Sequence, residues 1–211
     1  MTMKEIHDLC KEYEIKNYTI NNDMSIDIDG DVFLNYMYIE ELPLNFNRVK
    51  GSFYCSKCGL ISLKGSPEYV GGEFMCEENK LKTLADGPLF VKGDFSCDLN
   101  QLKELNNNLQ IGGAFFFEHN IIRDFYSFPK VNFDYVHLDF NPIAEILDAV
   151  FDVLDDDEDL YTFYNSIYYF NDLGVIQNNN HIILDRFNYL LLDLFHKEIK
   201  SNTNIPGYGI I

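Results

Sequence analysis

The sequence predicts an α/β solenoid of about six units, with a period of 20 to 21 residues and a helical cap at each end. The first observation is a recurring string: VKGSFYCSKCGL (49–60), VGGEFMCEENKL (70–81) and VKGDFSCDLNQL (91–102) match position by position. The second is an amphipathic helical pattern in the terminal segments, where the string is absent. Repeats of this length stack on their neighbours and share one core, which needs cover at both ends.

An apolar pair, with its members two residues apart, marks each unit. The six pairs are Val32/Leu34, Phe53/Cys55, Phe74/Cys76, Phe95/Cys97, Phe115/Phe117 and Val136/Leu138. This alternation predicts one short strand per unit, with both members of the pair in the core. Three residues after the pairs stand Met37, Cys58, Asn79, Asn100, Asn120 and Asn141. The asparagines are expected to turn inward and satisfy backbone groups where the chain leaves the strand.

An apolar residue follows two positions after each of these, and another comes three further on. The resulting pattern, apolar-x-apolar-x-x-Asn-x-Leu-x-x-Leu, resembles the leucine-rich repeat, in particular its short bacterial form. The resemblance covers residues 28–146 and implies a solenoid with a concave sheet. Glycines at 30, 51, 72, 93 and 113 depart from the family pattern and indicate tight bends. The GGxFxC strings and the C-terminal tail also resemble small repeat proteins of large tailed phages, which implies a host protein as the target.

The regions on either side of the repeats are predicted to cover the two ends of the solenoid. Residues 1–27 form an N-terminal cap, in which Thr2 and Glu5 have capping-box spacing before a helix over 3–13. A hairpin around Asn22 and Asp23 follows. The solenoid occupies 28–146, and residues 147–211 form a C-terminal helical cap or small domain. Its helical patterns run over 141–154, 157–170 and 184–199, and the tail, 201–211, is expected to be loose.

The charge of the chain bounds its partners. Lys and Arg number 16 against 34 Asp and Glu, which gives a formal net charge of −18 at pH 7. This charge repels nucleic acid and anionic membranes and favours a basic protein as the partner. The charged N-terminal segment is unlike a signal peptide, and no apolar run approaches the roughly 18 residues of a membrane span. A cytoplasmic protein with five reduced cysteines is expected.

The motifs predict no catalytic, metal or cofactor site. Cys55 and Cys58 have the spacing of a zinc or redox pair, but Cys55 aligns with other core cysteines and Cys58 takes an asparagine position. The acidic run DDDEDL (155–160) lacks the glycine and the last carboxylate of a calcium loop. A helix start or a partner contact explains it better. The sequence contains no phosphate loop, nucleophile elbow or metal-protease motif.

Residues that point out of the predicted strands line up in columns about 4.8 Å apart. The middle column is mostly apolar or aromatic, and carboxylates flank it on both sides. We therefore expect a concave binding face made by Phe33, Tyr54, Met75, Phe116, His137, Glu73, Glu77, Asp94, Asp98, Glu118 and Asp139. Rigid apolar anchors surrounded by charge are typical of protein-binding sites. Sheet propensity alone also favours aromatic residues on strands, and this alternative stays open.

Three functions are compatible with the sequence. The first is a non-enzymatic recognition protein that binds, and on the phage resemblance inhibits, a basic host protein through the concave face. The second is a nucleic-acid mimic, in which the acids between 145 and 159 occupy the DNA or RNA channel of an enzyme. The third is an enzyme in the C-terminal helices, for which the residues indicate no reaction. Self-association is also open, because solenoid edges and an apolar stripe can both serve it.

Overall fold

Five successive turns of the described chain each contribute one short strand to each of two sheets, so the repeats form a β-solenoid. The prediction of a solenoid is confirmed, whereas the α/β form is not. The structure is a computed structural model that describes residues 1–129, 131, 135–154, 162–163, 166–167, 169–178 and 180–211. The acidic run at 155–160 lies outside the described residues. The predicted helix over 157–170 lies partly outside them.

The two sheets have six strands each. The first contains Tyr18–Ile20 (β1), Ile26–Ile28 (β2), Phe46–Val49 (β4), Tyr69–Val70 (β6), Phe90–Val91 (β8) and Gln110–Ile111 (β10). The second contains Val32–Phe33 (β3), Phe53–Tyr54 (β5), Phe74–Met75 (β7), Phe95–Ser96 (β9), Phe115–Phe116 (β11) and Val136–His137 (β12). Strands β1 and β2 form the predicted antiparallel hairpin, and the other pairs in these sheets are parallel.

The second sheet corresponds to the six apolar pairs, but the prediction of one strand per unit is incomplete. Within residues 28–129 the described backbone contains no helix, and each turn has a first-sheet strand instead. These strands lie just before the glycine corners, where Val49, Val70 and Val91 are buried. Strands such as β6 and β8 bury a single residue each, so they show no alternation that the sequence could reveal.

Phenylalanines from successive turns stack in the core. The ring centroids of Phe53 and Phe74 lie 5.4 Å apart, and those of Phe74 and Phe95 lie 5.2 Å apart. The same turns supply a column of buried free thiols: Cys55, Cys76 and Cys97. Burial raises the pKa of each of these thiols well above its ordinary value, so they stay protonated at neutral pH. The prediction that these cysteines lie in the core is confirmed.

Buried asparagines join each turn to its neighbours. Asn100 donates from Nδ2 to the carbonyl oxygens of Cys76 and Cys97, both at 3.1 Å. Its Oδ1 accepts from the backbone N–H of Leu81 at 3.0 Å. Equivalent bonds are made by Asn79, Asn120 and Asn141. The ladder confirms the predicted inward asparagines and satisfies backbone groups that have no access to water.

Glycine is required at the corners between the two sheets because the turns approach closely there. A Cβ on Gly51 would overlap the carboxylate of Asp31, which accepts the N–H of Ser52 at 2.7 Å. Three turns further on, Gly113 faces the carboxylate of Asp94 in the same way. The predicted tight bend is therefore a site of contact between successive turns.

The N-terminal helix, α1 (Met3–Glu12), is confirmed together with its capping box. The Thr2 hydroxyl accepts the N–H of Glu5, and the Glu5 carboxylate accepts the N–H of Thr2 at 2.6 Å. These bonds satisfy two backbone donors of the first turn and hold the start of the helix. Ile6 and Cys10 lie in the same buried cluster as the first strands of the solenoid, so α1 packs on the beginning of its core.

The C-terminal region contains helices Ala144–Phe151 (α2), Tyr169–Leu173 (α3) and Leu184–Phe195 (α4). Strands Ile176–Gln177 (β13), His181–Ile182 (β14) and Gly209–Ile210 (β15) form a third sheet. No helix among the described residues is long and apolar enough to cross a membrane.

The prediction of a loose tail is wrong. Ile205 is 1% exposed, and β15 pairs with β14 in parallel. The Tyr208 hydroxyl donates to the backbone oxygen of Arg123 at 2.7 Å, which fastens the tail to the last repeats. Tertiary contacts of single apolar residues order this segment, and such contacts have no periodicity to reveal them.

We expect Asn100→Ala to lower the free energy of unfolding by about 2–4 kcal/mol, because it leaves buried carbonyl oxygens and an N–H unpaired. Urea denaturation followed by circular dichroism measures the change. Asn107→Ala, at an exposed loop position three residues before β10, is the matched control and should shift stability by less than about 0.5 kcal/mol. Equal effects of the two substitutions would contradict the structural role of the ladder.

Candidate functional site

The outer face of the second sheet presents the predicted apolar column, here called the aromatic stripe. Its six positions are Phe33, Tyr54, Met75, Ser96, Phe116 and His137. Phe33 is 62% exposed, whereas Ser96 is only 4% exposed and lies below its larger neighbours. The stripe therefore has two aromatic pads, Phe33 with Tyr54 and Phe116 with His137, and a lower step between them at Ser96.

Both pads are held by stacking between adjacent turns. The rings of Phe33 and Tyr54 lie 5.2 Å apart with planes 6° from parallel. The rings of Phe116 and His137 lie 4.4 Å apart with planes 9° from parallel. Stacked pairs of this kind contribute about 0.5–1.5 kcal/mol beyond the area they bury. The pads are consequently preorganised, and a partner would lose little entropy in ordering them.

The carboxylates next to the corners have partners within the solenoid. Asp94 accepts the N–H of Ala114 at 2.8 Å, as Asp31, three turns earlier in the same column, accepts that of Ser52 at 2.7 Å. Glu73 accepts the hydroxyl of Tyr54 at 3.1 Å. Both predicted binding acids of this column, Glu73 and Asp94, are thus hydrogen-bonded within the fold.

A second carboxylate column runs along the other side of the stripe through Glu77, Asp98, Glu118 and Asp139. Asp98 accepts the N–H of Glu118 at 2.6 Å, and Glu77 accepts the hydroxyl of Ser56. Burial raises the pKa of Asp98, the negative charges of Glu118 and Glu77 add to this effect, and hydrogen bonds oppose it. A cation placed over this column would relieve the repulsion between neighbouring carboxylates.

A further exposed column was missed by the sequence reasoning. It consists of Tyr36, Lys57, Glu78, Leu99, His119 and Phe140, all of which have positive φ. Phe140 is 70% exposed and its ring lies 4.1 Å from that of His119. Backbone bonds between turns enforce this left-handed conformation, such as that from the N–H of His119 to the oxygen of Asp139 at 3.0 Å. In the sequence, each residue of this column stands four positions after the first member of an apolar pair. None of the six is glycine, the residue that positive φ favours, so the sequence did not reveal the conformation.

The outer face of the first sheet also has a stacked row, which the sequence reasoning did not find. The Arg48 guanidinium lies 3.8 Å from the ring centroid of Tyr69, and Tyr69 stacks on Phe90 at 5.2 Å. Aromatic ladders are therefore a general consequence of stacked turns. In the second sheet, carboxylate columns flank the ladder on both sides, whereas the first-sheet row of Asp27, Arg48, Tyr69, Phe90 and Gln110 contains one acid and one cation.

The described residues contain no group of three or more His, Cys, Asp or Glu side chains placed to hold a metal ion. Cys58 occupies an asparagine slot, and its thiol donates to the backbone oxygen of Leu34 at 2.9 Å. Cys55 faces the core, and burial is the main cause of its raised pKa. The Cys55 and Cys58 pair is accounted for by packing and backbone pairing.

Comparison with protein-family models, with curated proteins and with solved structures finds no match to this chain.

Asp98→Asn should stabilise the protein above the pH range in which Asp98 titrates. Because the pKa of Asp98 is higher in the folded protein than in the unfolded chain, stability falls as the pH rises between the two values. Asparagine keeps an oxygen for the N–H of Glu118 and removes the charge. The gain is at most about 1 kcal/mol after solvent screening, and it should vanish below the pKa of the unfolded carboxyl.

Denaturant unfolding of both proteins between pH 3 and pH 8 measures this difference. The exposed Asp8→Asn controls for the loss of one negative charge from the chain. A stability difference between wild type and Asp98→Asn that grows on acidification would contradict the assigned direction.

Proposed function

We propose that this protein is a non-enzymatic recognition module that binds a basic protein through the outer face of the second sheet. One observation carries the proposal: a preorganised aromatic stripe flanked by carboxylates that repel one another. Aromatic anchors supply affinity when a partner covers them, and surrounding charges steer and orient that partner. The formal net charge of −18 favours the approach of a basic partner over long distances.

The lower step at Ser96 fits this mode of binding. Ser96 lies between Met75 and Phe116 on adjacent strands, and its hydroxyl donates to Asp98 at 3.3 Å. A long lysine or arginine side chain crossing the stripe there would place its apolar stem between larger side chains and its charge beside the carboxylate column. The step thereby gives the face a preference for basic side chains at one defined point.

The proposal includes the leucine-rich-repeat-like classification and the phage relationship. The asparagine ladder and the buried leucines support the first, although a strand stands where the α/β form would have a helix. The GxFxC string, which recurs at 51–55, 72–76 and 93–97, supports the second. On this proposal the partner is a host protein, binding inhibits it, and the complex forms in the host cytoplasm.

A nucleic-acid mimic is the second candidate, and one cleft favours it. A cavity of about 720 Å³ lies where the last repeats meet the C-terminal segment. Asp139, Glu145 and Asp148 line it together with Arg123 and Phe140. Carboxylates around a cleft can imitate phosphates, but the cleft is only the end of the second carboxylate column. The described residues of the C-terminal helices favour no enzymatic reaction, so an enzyme is not proposed.

Replacement of Phe33, Tyr54 and Phe116 by alanine together should abolish capture of the basic partner and leave the fold intact. Loss of anchors of this kind typically weakens binding by about 2 kcal/mol or more each. The measurement is an affinity pull-down from host-cell lysate at moderate salt, with the retained proteins identified by mass spectrometry. Circular dichroism reports on the fold.

The matched control is the double variant Tyr69→Ala and Phe90→Ala, which removes the stacked pair from the first sheet. It should retain the partner. Undiminished capture by the triple variant would remove the second sheet as the binding face, and recovery of the protein alone would indicate self-association.

Salt separates recognition from mimicry. A partner held by the aromatic stripe should stay bound at moderate ionic strength, whereas one held by carboxylates alone should be lost as the Debye length falls to about 8 Å at 0.15 M. The double variant Asp148→Asn and Asp152→Asn should leave capture of the basic partner unchanged. Retention of nucleic-acid enzymes at low salt only, and their loss in this variant, would favour the mimic instead.

A further inference from the structure

The two sheets differ at the N-terminal end of the solenoid. In the first sheet the antiparallel strand β1 covers β2, the first of the strands that stack in parallel. In the second sheet the order ends at β3, and no strand of the described residues pairs with its outer side. An uncovered edge presents backbone groups on which another strand can pair.

The backbone groups that β3 leaves without a partner can be identified from the equivalent groups of the next turn. There the carbonyl oxygens of Ser52, Tyr54 and Ser56 accept the N–H groups of Val32, Leu34 and Tyr36 at 2.9, 2.8 and 3.1 Å. The equivalent oxygens of β3 belong to Asp31, Phe33 and Asn35. The parallel register between Phe33 and Tyr54 uses both backbone groups of Tyr54, so the N–H and C=O of Phe33 face away from the sheet. Three carbonyl oxygens and the N–H of Phe33 are thus directed at the uncovered side.

A cleft of about 550 Å³ lies along this edge. Residues 13–17 form one wall, and Gly30, Asp31, Val32, Phe33, Asn35 and Met37 form the other. Two backbone hydrogen bonds hold the wall formed by residues 13–17. The carbonyl oxygen of Asn17 accepts the N–H of Asp29 at 2.9 Å, and the N–H of Ile15 donates to the carbonyl oxygen of Cys10 at 2.8 Å. The cleft therefore combines a free strand edge with the exposed ring of Phe33.

We infer that an extended segment of a basic protein partner adds to β3 as a further strand of the second sheet. Its N–H groups would meet the three open carbonyl oxygens, and an apolar side chain would continue the stack of Phe33 on Tyr54. The cleft is lined by two acids, Glu14 and Asp31, and by one cation, Lys16. The formal net charge of the whole chain is −18. Lysine or arginine on the added segment is therefore favoured. A second copy is disfavoured, because two chains of this charge repel each other. The basic nature of the partner rests on the proposed function, whereas the strand edge stands on its own.

The probe is a seven-residue peptide in which lysine alternates with valine and phenylalanine. Nuclear magnetic resonance titration should shift the backbone amides of residues 13–17 and 31–37 and leave those around Phe116 and His137 unmoved. The same peptide with glutamate in place of lysine should not bind. N-methylation of alternate peptide nitrogens should weaken binding by about tenfold in the set that faces β3, and much less in the other set.

Two substitutions of Phe33 distinguish the contribution of the β3 backbone to peptide binding from that of the Phe33 ring. Phe33→Pro removes the N–H that faces the cleft, and proline is tolerated at an edge strand because that N–H makes no bond within the sheet. Phe33→Ala keeps the N–H and removes the ring. We expect Phe33→Pro to weaken peptide binding by about tenfold beyond the effect of Phe33→Ala. Circular dichroism checks both folds, and the N-methylated peptides decide the matter if the proline variant does not fold.

Equal weakening by both variants, or by both N-methylated peptides, would overturn strand addition. So would shifts centred on Phe116 and His137, or no binding. A dimer that Phe33→Pro disrupts would assign the edge to a second copy and overturn the foreign segment. The test needs no natural partner, so its failure leaves the binding face of the second sheet to be judged by the alanine variants and their pull-down.

Discussion

The structure depends on stacking successive turns at the spacing of β-strands, about 4.8 Å. At this spacing every buried polar group must find its partner in the turn above or below. The amide of Asn100 meets this requirement by bonding carbonyl oxygens of two different turns. The corner glycines allow it to be met, because the absence of a Cβ leaves space for the hydrogen-bonding side chain of the preceding turn. Repetition of the sequence follows, because a residue that fits one turn fits its neighbour.

The same constraint shapes the surface. Side chains that point outward also fall into columns, so one aromatic residue in each turn becomes a ladder, as Phe33 and Tyr54 show. A column of acids becomes a line of charge for the same reason, and its members repel one another unless they are hydrogen-bonded or covered. A partner with basic side chains can relieve that repulsion without any movement of the backbone. Recognition by such a face would thus be a by-product of the stacking that builds the fold.

The sequence was informative where a residue type is forced at a fixed interval. The six apolar pairs, the inward asparagines and the buried cysteines were all predictable, because burial restricts each of these positions to few residue types. The first sheet was not, since strands such as β6 and β8 bury a single residue and show no apolar pair. The left-handed column was also hidden, because Tyr36, Leu99 and Phe140 are residues that local preference would not place at positive φ. The tail was missed for a third reason: Ile205 and Tyr208 are ordered by contacts distant in sequence.

The carboxylates around the aromatic stripe divide into two sets with different consequences. Asp31, Asp94 and Asp98 accept backbone N–H groups of the following turn, so their charge is tied to the fold. Asp139 is exposed and lies at the end of its column, where a partner can reach it without breaking a bond to the backbone. The first set joins successive turns through these hydrogen bonds, whereas the second is free to contact a partner. A solenoid of this kind could therefore change its partner by altering the free carboxylates and the stripe, while the hydrogen-bonded aspartates and the asparagine ladder stay as they are.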